Sequence, residues 1–295
     1  DVMFLHTGNL NVPLNIREII DTLFVKNAKK SLDKLNLRHR HYIKSEKYKG
    51  EIHFSTGSNT ARSSSNFYAL NNGIATLFEI RGVGIGKTSF KRRINSGLAV
   101  GFSYLKTAFE NSNFIFDQID IANTYSNDIV LEHQRSIYTD VIKAIDIGSN
   151  EMIDFETTMH SSKDSYAISK RDRPLAYIIK QNNFGFIEKL KDVGIDYVEL
   201  QKDTVIYSGG YRVIEFNDNF KVYEKMRMQK VVTSIEYNDN GFSKGDILIS
   251  MNQKRSNLIA ELLEPEAPNS YVSFGIINTS LNSQLPIYRI KNLNN

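Results

Sequence analysis

The stretch 77-LFEIRGVGIGKTSFKRR-93 gathers residue types that handle anions and protons: Glu79, Arg81, glycines at 82, 84 and 86, then Lys87 and Thr88. Glycines leading into Gly-Lys-Thr suggest a phosphate cradle, in which successive backbone N–H groups wrap the phosphates. That loop needs a glycine five residues before Gly86, and Arg81 holds the place. The glycines are also too closely spaced for a GxGxxG dinucleotide turn. Nucleotide binding is therefore not the reading. The more unusual residue is Glu79, a carboxylate inside the apolar run 74-IATLFEI-80, where a charge is costly unless something pairs with it or uses it.

Other candidates stand around it. Arg62 lies in the polar loop 57-GSNTARSSSN-66 just upstream of the Glu79 strand, so both can reach a cleft at that strand's C-terminal end. The histidines are His6, His39, His41, His53, His133 and His160, and none opens an HExxH or HxxE pattern. An extended 39-HRH-41 puts two imidazoles on one face, but a third ligand is missing nearby, so an exposed basic patch is the simpler reading. Lys91, Arg92 and Arg93 open a helix, where positive charge opposes the macrodipole and either is solvated or faces an anion.

The elements that must position these residues follow from periodicity. Residues 15–36 set Ile16, Ile19, Ile20, Leu23, Phe24, Leu32 and Leu35 largely on one stripe of an amphipathic helix. The runs 1-DVMFL-5 and 51-EIHFS-55 read as strands, and 73-GIATLFEIR-81 as a buried strand. Thr88 is the expected N-cap of a helix carrying Phe90, Ile94, Leu98, Leu105 and Phe109. Another helical pattern is read at 128-DIVLEHQRSIYTDVIKAI-145.

From 173-RPLAYIIK-180 a second unit begins. It runs strand, helix 184-FGFIEKLKDVG-194 and strand 196-DYVEL-200, then mostly β structure with a hairpin signal at Asn238–Gly241. A short helix at 256-SNLIAELLE-264 and strands near 271-YVSFGII-277 and 286-PIYRI-290 close it. No internal repeat is present.

The bulk properties bound the class. The chain has 295 residues, 41% apolar and 24% charged, which is enough for two domains and a large core. A net charge of +4, spread rather than blocked, does not favour nucleic-acid binding. No apolar run approaches a membrane span. With no cysteine, any metal must be held by His, Asp or Glu. The chain starts at Asp1, so export stays open.

The segment from Gly73 to Phe109, centred on FEIRGVGIGKTSFKRR, resembles the end of the catalytic domain in zinc metallocarboxypeptidases of the carboxypeptidase A superfamily, especially a bacterial branch. There the stretch reads Glu-Thr-Arg-Gly-x-Gly-x-Gly-Arg before an Arg-Arg helix; Ile80 replaces the Thr and Lys87 the final Arg. The stretch 258–278 and the ending LPIYRI are similar to that branch's accessory region, and 113–170 matches it poorly. The resemblance implies that Glu79 is the general base and acid, its pKa raised by burial, acting on a zinc-bound water at a C-terminal peptide bond. It makes Arg62 the candidate contact for the substrate carboxylate. The family's mobile tyrosine has no counterpart, since His53 and Phe54 hold the nearest positions.

The zinc ligands implied by the resemblance belong to a region expected before Asp1. The expected architecture is an α/β, partial carboxypeptidase-like mixed sheet with flanking helices over 1–112, a connector with one helix over 113–170, and an α+β accessory domain over 171–295. Its partners are a peptide substrate, and an N-terminal half on another chain or an oligomer that covers an exposed sheet edge. The rival expectation is a non-catalytic peptide-binding or interaction module on the same fold.

Overall fold

The computed structural model describes residues 1–82, 89–180 and 184–291. Lys87, Thr88 and the glycines at 84 and 86 lie outside the described residues, and with them the phosphate-loop pattern and the expected N-cap. The protein is mixed α/β and divides into two compact units: Asp1–Ala122 with His133–Ala167, and Asn123–Glu132 with Ile168–Asn295.

The first unit opens with β1 (Val2–His6), then a continuous helical stretch made of α1 (Leu14–Ile19), a π-helical segment Ile20–Val25 and α2 (Lys26–Asp33). Of the predicted stripe, Ile16, Ile19, Ile20, Phe24 and Leu32 are buried and Leu23 is partly buried, with Val25 and Ala28 buried beside them; Leu35 falls beyond the helix end at Asp33 and is exposed. There follow β2 (His39–His41), β3 (Ile43–Tyr48), β4 (Glu51–Thr56), α3 (Ser64–Leu70), β5 (Thr76–Ile80), α4 (Phe90–Glu110) and α5 (Ser112–Asn123).

β6 (Ile129–Ile145) and β7 (Met152–Arg171) come next. The helix expected at 128–145 is therefore a long strand. Its Ile, Val, Tyr and Thr content suits a pleated ribbon, and its neighbour β7 supplies the ladder that single-sequence periodicity cannot foresee. The helix within 113–170 is α5 instead.

Two sheets result. One has the order β2-β1-β5, with β1 parallel to β2 and antiparallel to β5; the other has the order β3-β4-β7-β6. Gly8, just after β1, passes so close to β7 that an added Cβ would stand 2.4 Å from the Ser162 carbonyl oxygen, so only glycine fits.

The second unit is built on a sheet of order β11-β10-β13-β8-β12-β9. Its elements are β8 (Ala176–Ile179), α6 (Phe184–Asp192), β9 (Val198–Glu199), β10 (Thr204–Tyr223), β11 (Met226–Phe242), β12 (Ile247–Ser250), α7 (Ser256–Leu263) and β13 (Gln284–Ile290). β8 is central and buried at every residue, and Leu258, Ile259 and Leu263 of α7 are buried as well.

Two expectations fail here. Asn238–Gly241 is not a turn but part of β11, paired with Val205–Ser208; the reversal is at Glu224–Lys225, both left-handed with φ of 47° and 69°. Residues 271–277 form buried turns, not a strand, pinned by the Ser270 hydroxyl, which accepts from the Ser273 N–H at 3.0 Å.

Candidate active site

Glu79 sits on β5, an edge strand of its three-stranded sheet. The alternation of the strand is visible in its exposure: Leu77 and Glu79 face solvent while Thr76, Phe78 and Ile80 are partly buried. The buried strand and desolvated carboxylate expected from the apolar run are thus corrected. An edge strand with one packed face carries its charge on the other.

The packed face fixes β5 in place. Phe78 lies edge-on between Phe4 and Tyr104, with ring centroids at 5.6 and 4.9 Å. The Tyr104 hydroxyl donates to Thr76 Oγ1 at 3.0 Å, and burial pushes that phenol far above its usual range, so it stays neutral.

On the open face, register aligns three residues in a row. Met3 of β1 is opposite Glu79 of β5 and opposite Arg40 of β2, so all three side chains project to one side. Two strand spacings separate Arg40 from Glu79, roughly 10 Å between their Cα atoms. All three line a cavity of about 1200 Å³ that also draws on Arg38, Arg81 and Asp140. Burial holds the Arg40 guanidinium below its ordinary pKa, with the Asp140 charge opposing. At the cavity's margin the buried Asp1 carboxylate accepts from Arg92 at 2.7 and 2.8 Å and from the Arg38 backbone N–H at 2.9 Å.

Arg62 is exposed, on a loop that buried Asn66 holds by donating to the Ser58 and Thr60 carbonyls at 2.9 Å each. It is not among the described residues lining the Glu79 cavity. Strand parity in 39-HRH-41 puts Arg40, between the two imidazoles, on the face of β2 that the register aligns with Glu79.

Those imidazoles part company: His39 Nε2 lies 2.9 Å from Asp33 and His41 Nε2 lies 3.1 Å from Lys29. Instead His53 and His160 meet, Nδ1 to Nε2 at 3.0 Å, with Glu51 at 3.4 Å from the other His53 nitrogen. Among the described residues no group of three or more His, Asp or Glu is placed to hold a metal ion. The described residues therefore do not by themselves fit the zinc that the resemblance implies.

Comparison with known proteins gives one consistent result. The chain is 27% identical over 296 residues to carboxypeptidase 2 of Trichophyton equinum, a match covering 99% of this chain and 55% of that protein. Carboxypeptidase 2 of Trichophyton rubrum matches at the same identity and coverage. A probable carboxypeptidase 2 of Arthroderma benhamiae is 26% identical over 90% of this chain and 51% of its own length. These relatives support a carboxypeptidase family. The chain spans about half the length of these curated carboxypeptidases, 51–55%. No family profile matches the chain, and no solved structure matches it. No helix among the described residues is long and apolar enough to cross a membrane.

Proposed function

We propose that the chain is part of a zinc carboxypeptidase of the carboxypeptidase A superfamily, the part that carries the general base Glu79. The placement in a bacterial branch and the reading of residues 1–112 as the end of a catalytic domain belong to the same proposal. The observation that carries it is the row Arg40–Met3–Glu79 on the wall of one open cavity, taken with relatives named carboxypeptidase.

On the cavity wall the Glu79 carboxylate could take a proton from water and return it to a leaving amine, and bound zinc would supply the polarisation that lets the water give that proton up. A cation two strands away suits the terminal carboxylate of a peptide lying across the sheet. Arg40 is the cavity's candidate for that contact, and Arg62 is the one the resemblance names. Zinc would be held by side chains other than the described residues of this chain, and a further polypeptide, on the same or another chain, would cover the open edge of β5.

The test is Glu79→Gln in a polypeptide that carries this chain together with the zinc ligands. Cleavage of C-terminal residues is expected to fall by about two to four orders of magnitude, the usual worth of a general base, with zinc content and melting temperature unchanged. Undiminished cleavage removes Glu79 from the chemistry. A polypeptide that takes up no zinc and cleaves nothing leaves the binding-module reading in its place.

A further inference from the structure

α4 packs one face on β5 and on the Leu14–Asp33 helical stretch, yet carries most of its large apolar residues on the other face. The face turned inward is mostly small: Ser96, Val100, Ser103 and Thr107 are buried, Gly97 lies against Ile80 of β5, and Asn27 of α2 donates to Thr107 Oγ1 at 3.2 Å, while Tyr104 fills the space between Phe24 and Phe78. The face turned outward is large and apolar. Phe90, Ile94, Leu98, Phe102, Leu105 and Phe109 recur three or four residues apart, so they form one stripe.

All six are exposed, from 46% at Ile94 to 84% at Phe109. At 1.5 Å per residue the stripe runs roughly 30 Å, far longer than the scattered apolar residues a protein surface normally shows. A helix that packs one face on a layer and presents a long apolar stripe on the opposite face is built to lie between two layers.

What covers the outer face is indicated by length. The Trichophyton equinum and Trichophyton rubrum relatives align with 99% of this chain but only 55% of their own sequence, so nearly half of each has no counterpart in it. A concavity of about 690 Å³ beside the stripe, lined by Leu35, Leu98, Ala99 and Phe102, has Lys91 and Arg92 at one end. It suits an apolar side chain with an acidic group close by.

We propose that the outer face of α4 is a docking surface for the polypeptide segment that, in the relatives, lies outside the region aligned with this chain. The segment presents apolar residues to Leu98 and Phe102 and a carboxylate to the Lys91 end. This inference does not depend on any catalytic role of Glu79, and its test reads no activity.

The chain has no cysteine, so single reporters are clean. Leu98→Cys and Phe102→Cys are labelled with a maleimide and quantified by peptide mass spectrometry in two contexts. The contexts are the chain alone and a fusion in which it replaces the aligned region of the Trichophyton rubrum carboxypeptidase 2. Labelling is expected to be at least ten-fold slower in the fusion, whereas Lys202→Cys, on an exposed residue of the second unit, labels equally in both.

Equal rates at Leu98 and Phe102 in the two contexts overturn the proposal. Slow labelling in the chain alone does so too, since the face is then already covered. A further arm needs no fusion. Leu98→Glu/Phe102→Glu in the chain alone is expected to keep the melting temperature and to cut binding of an apolar dye several-fold. A fall in melting temperature, or a discrete dimer in sedimentation that the double substitution turns into monomer, assigns the face to this chain's own core or to a second copy and overturns the proposal.

Discussion

Arg40 and Arg62 divide the question of what receives a peptide's terminal carboxylate. Arg40 is half-buried, faces Asp140 and shares a cavity with Glu79; Arg62 is exposed on a loop outside that lining. A charge-assisted hydrogen bond is worth about 1.5–3 kcal/mol, and partial burial keeps that value from being screened away. In the zinc-loaded polypeptide Arg40→Ala is therefore expected to raise KM about ten- to a hundred-fold, with a smaller effect on kcat. Arg62→Ala is expected to change KM by less than about three-fold, because an exposed contact of that kind contributes little. Steady-state kinetics on a short peptide checks both, and the reverse ranking would return the role to Arg62. Glu79 stands out in the sequence because a lone carboxylate in an apolar run is conspicuous. Its exposure does not, since an apolar run alone does not tell a central strand from an edge strand with one packed face.

At the scale of elements, helical stripes read through for the most part, whereas strand pairing did not. Leu14–Asp33 and Phe90–Glu110 are helical as their periodicity requires, but β6 over 129–145 needed a ladder partner to beat a helical pattern. The β10–β11 hairpin makes the same point. Asn238–Gly241 has favourable turn chemistry, yet these residues are paired within the ladder, and Asn240 Nδ2 donates to the Ser208 carbonyl at 2.9 Å. The reversal falls on Glu224–Lys225, two residues with positive φ and no local preference for it. Register wins because a slip of one residue would turn every side chain of a long ribbon to the opposite face. Replacing Glu224 by Asn and Lys225 by Gly supplies the residues such a two-residue turn favours. The double substitution is expected to stabilise the hairpin by about 0.5–1 kcal/mol, read as a higher urea midpoint with an unchanged m-value. A lower midpoint would mean that the side chains at 224 and 225 hold the turn.

At the scale of the whole molecule, the second unit is held by a buried charge network. Glu264 is fully buried and accepts from the Tyr177 hydroxyl at 2.5 Å, the Tyr211 hydroxyl at 2.9 Å and Arg171 Nη1 at 2.6 Å. Arg171 also donates to Glu266 at 2.7 and 3.1 Å, and Glu266 accepts in turn from the backbone N–H and hydroxyl of Thr233. Arg171→Met takes the direct guanidinium bonds from Glu264 and Glu266 and leaves buried Glu264 with the Tyr177 and Tyr211 hydroxyls and Arg289 at 3.6 Å, so it is expected to cost towards the lower end of about 3–5 kcal/mol. The network also sets an acid limit. Burial by itself would raise the Glu266 pKa, but the hydrogen bond and charge of Arg171, with Thr233, outweigh it and leave the carboxyl below its usual value. A depressed folded-state pKa contributes stability that is present above the unfolded value of about 4.3 and is lost as pH falls through the folded value. Glu266→Gln is accordingly expected to lower the urea midpoint at pH 7, and its deficit against the unsubstituted protein is expected to be smaller at an acid pH below the folded value, where the native carboxyl is also neutral. Equal deficits at the two pH values would mean that Glu266 acts by its shape and hydrogen bonds, and that its charge contributes nothing to holding the second unit together.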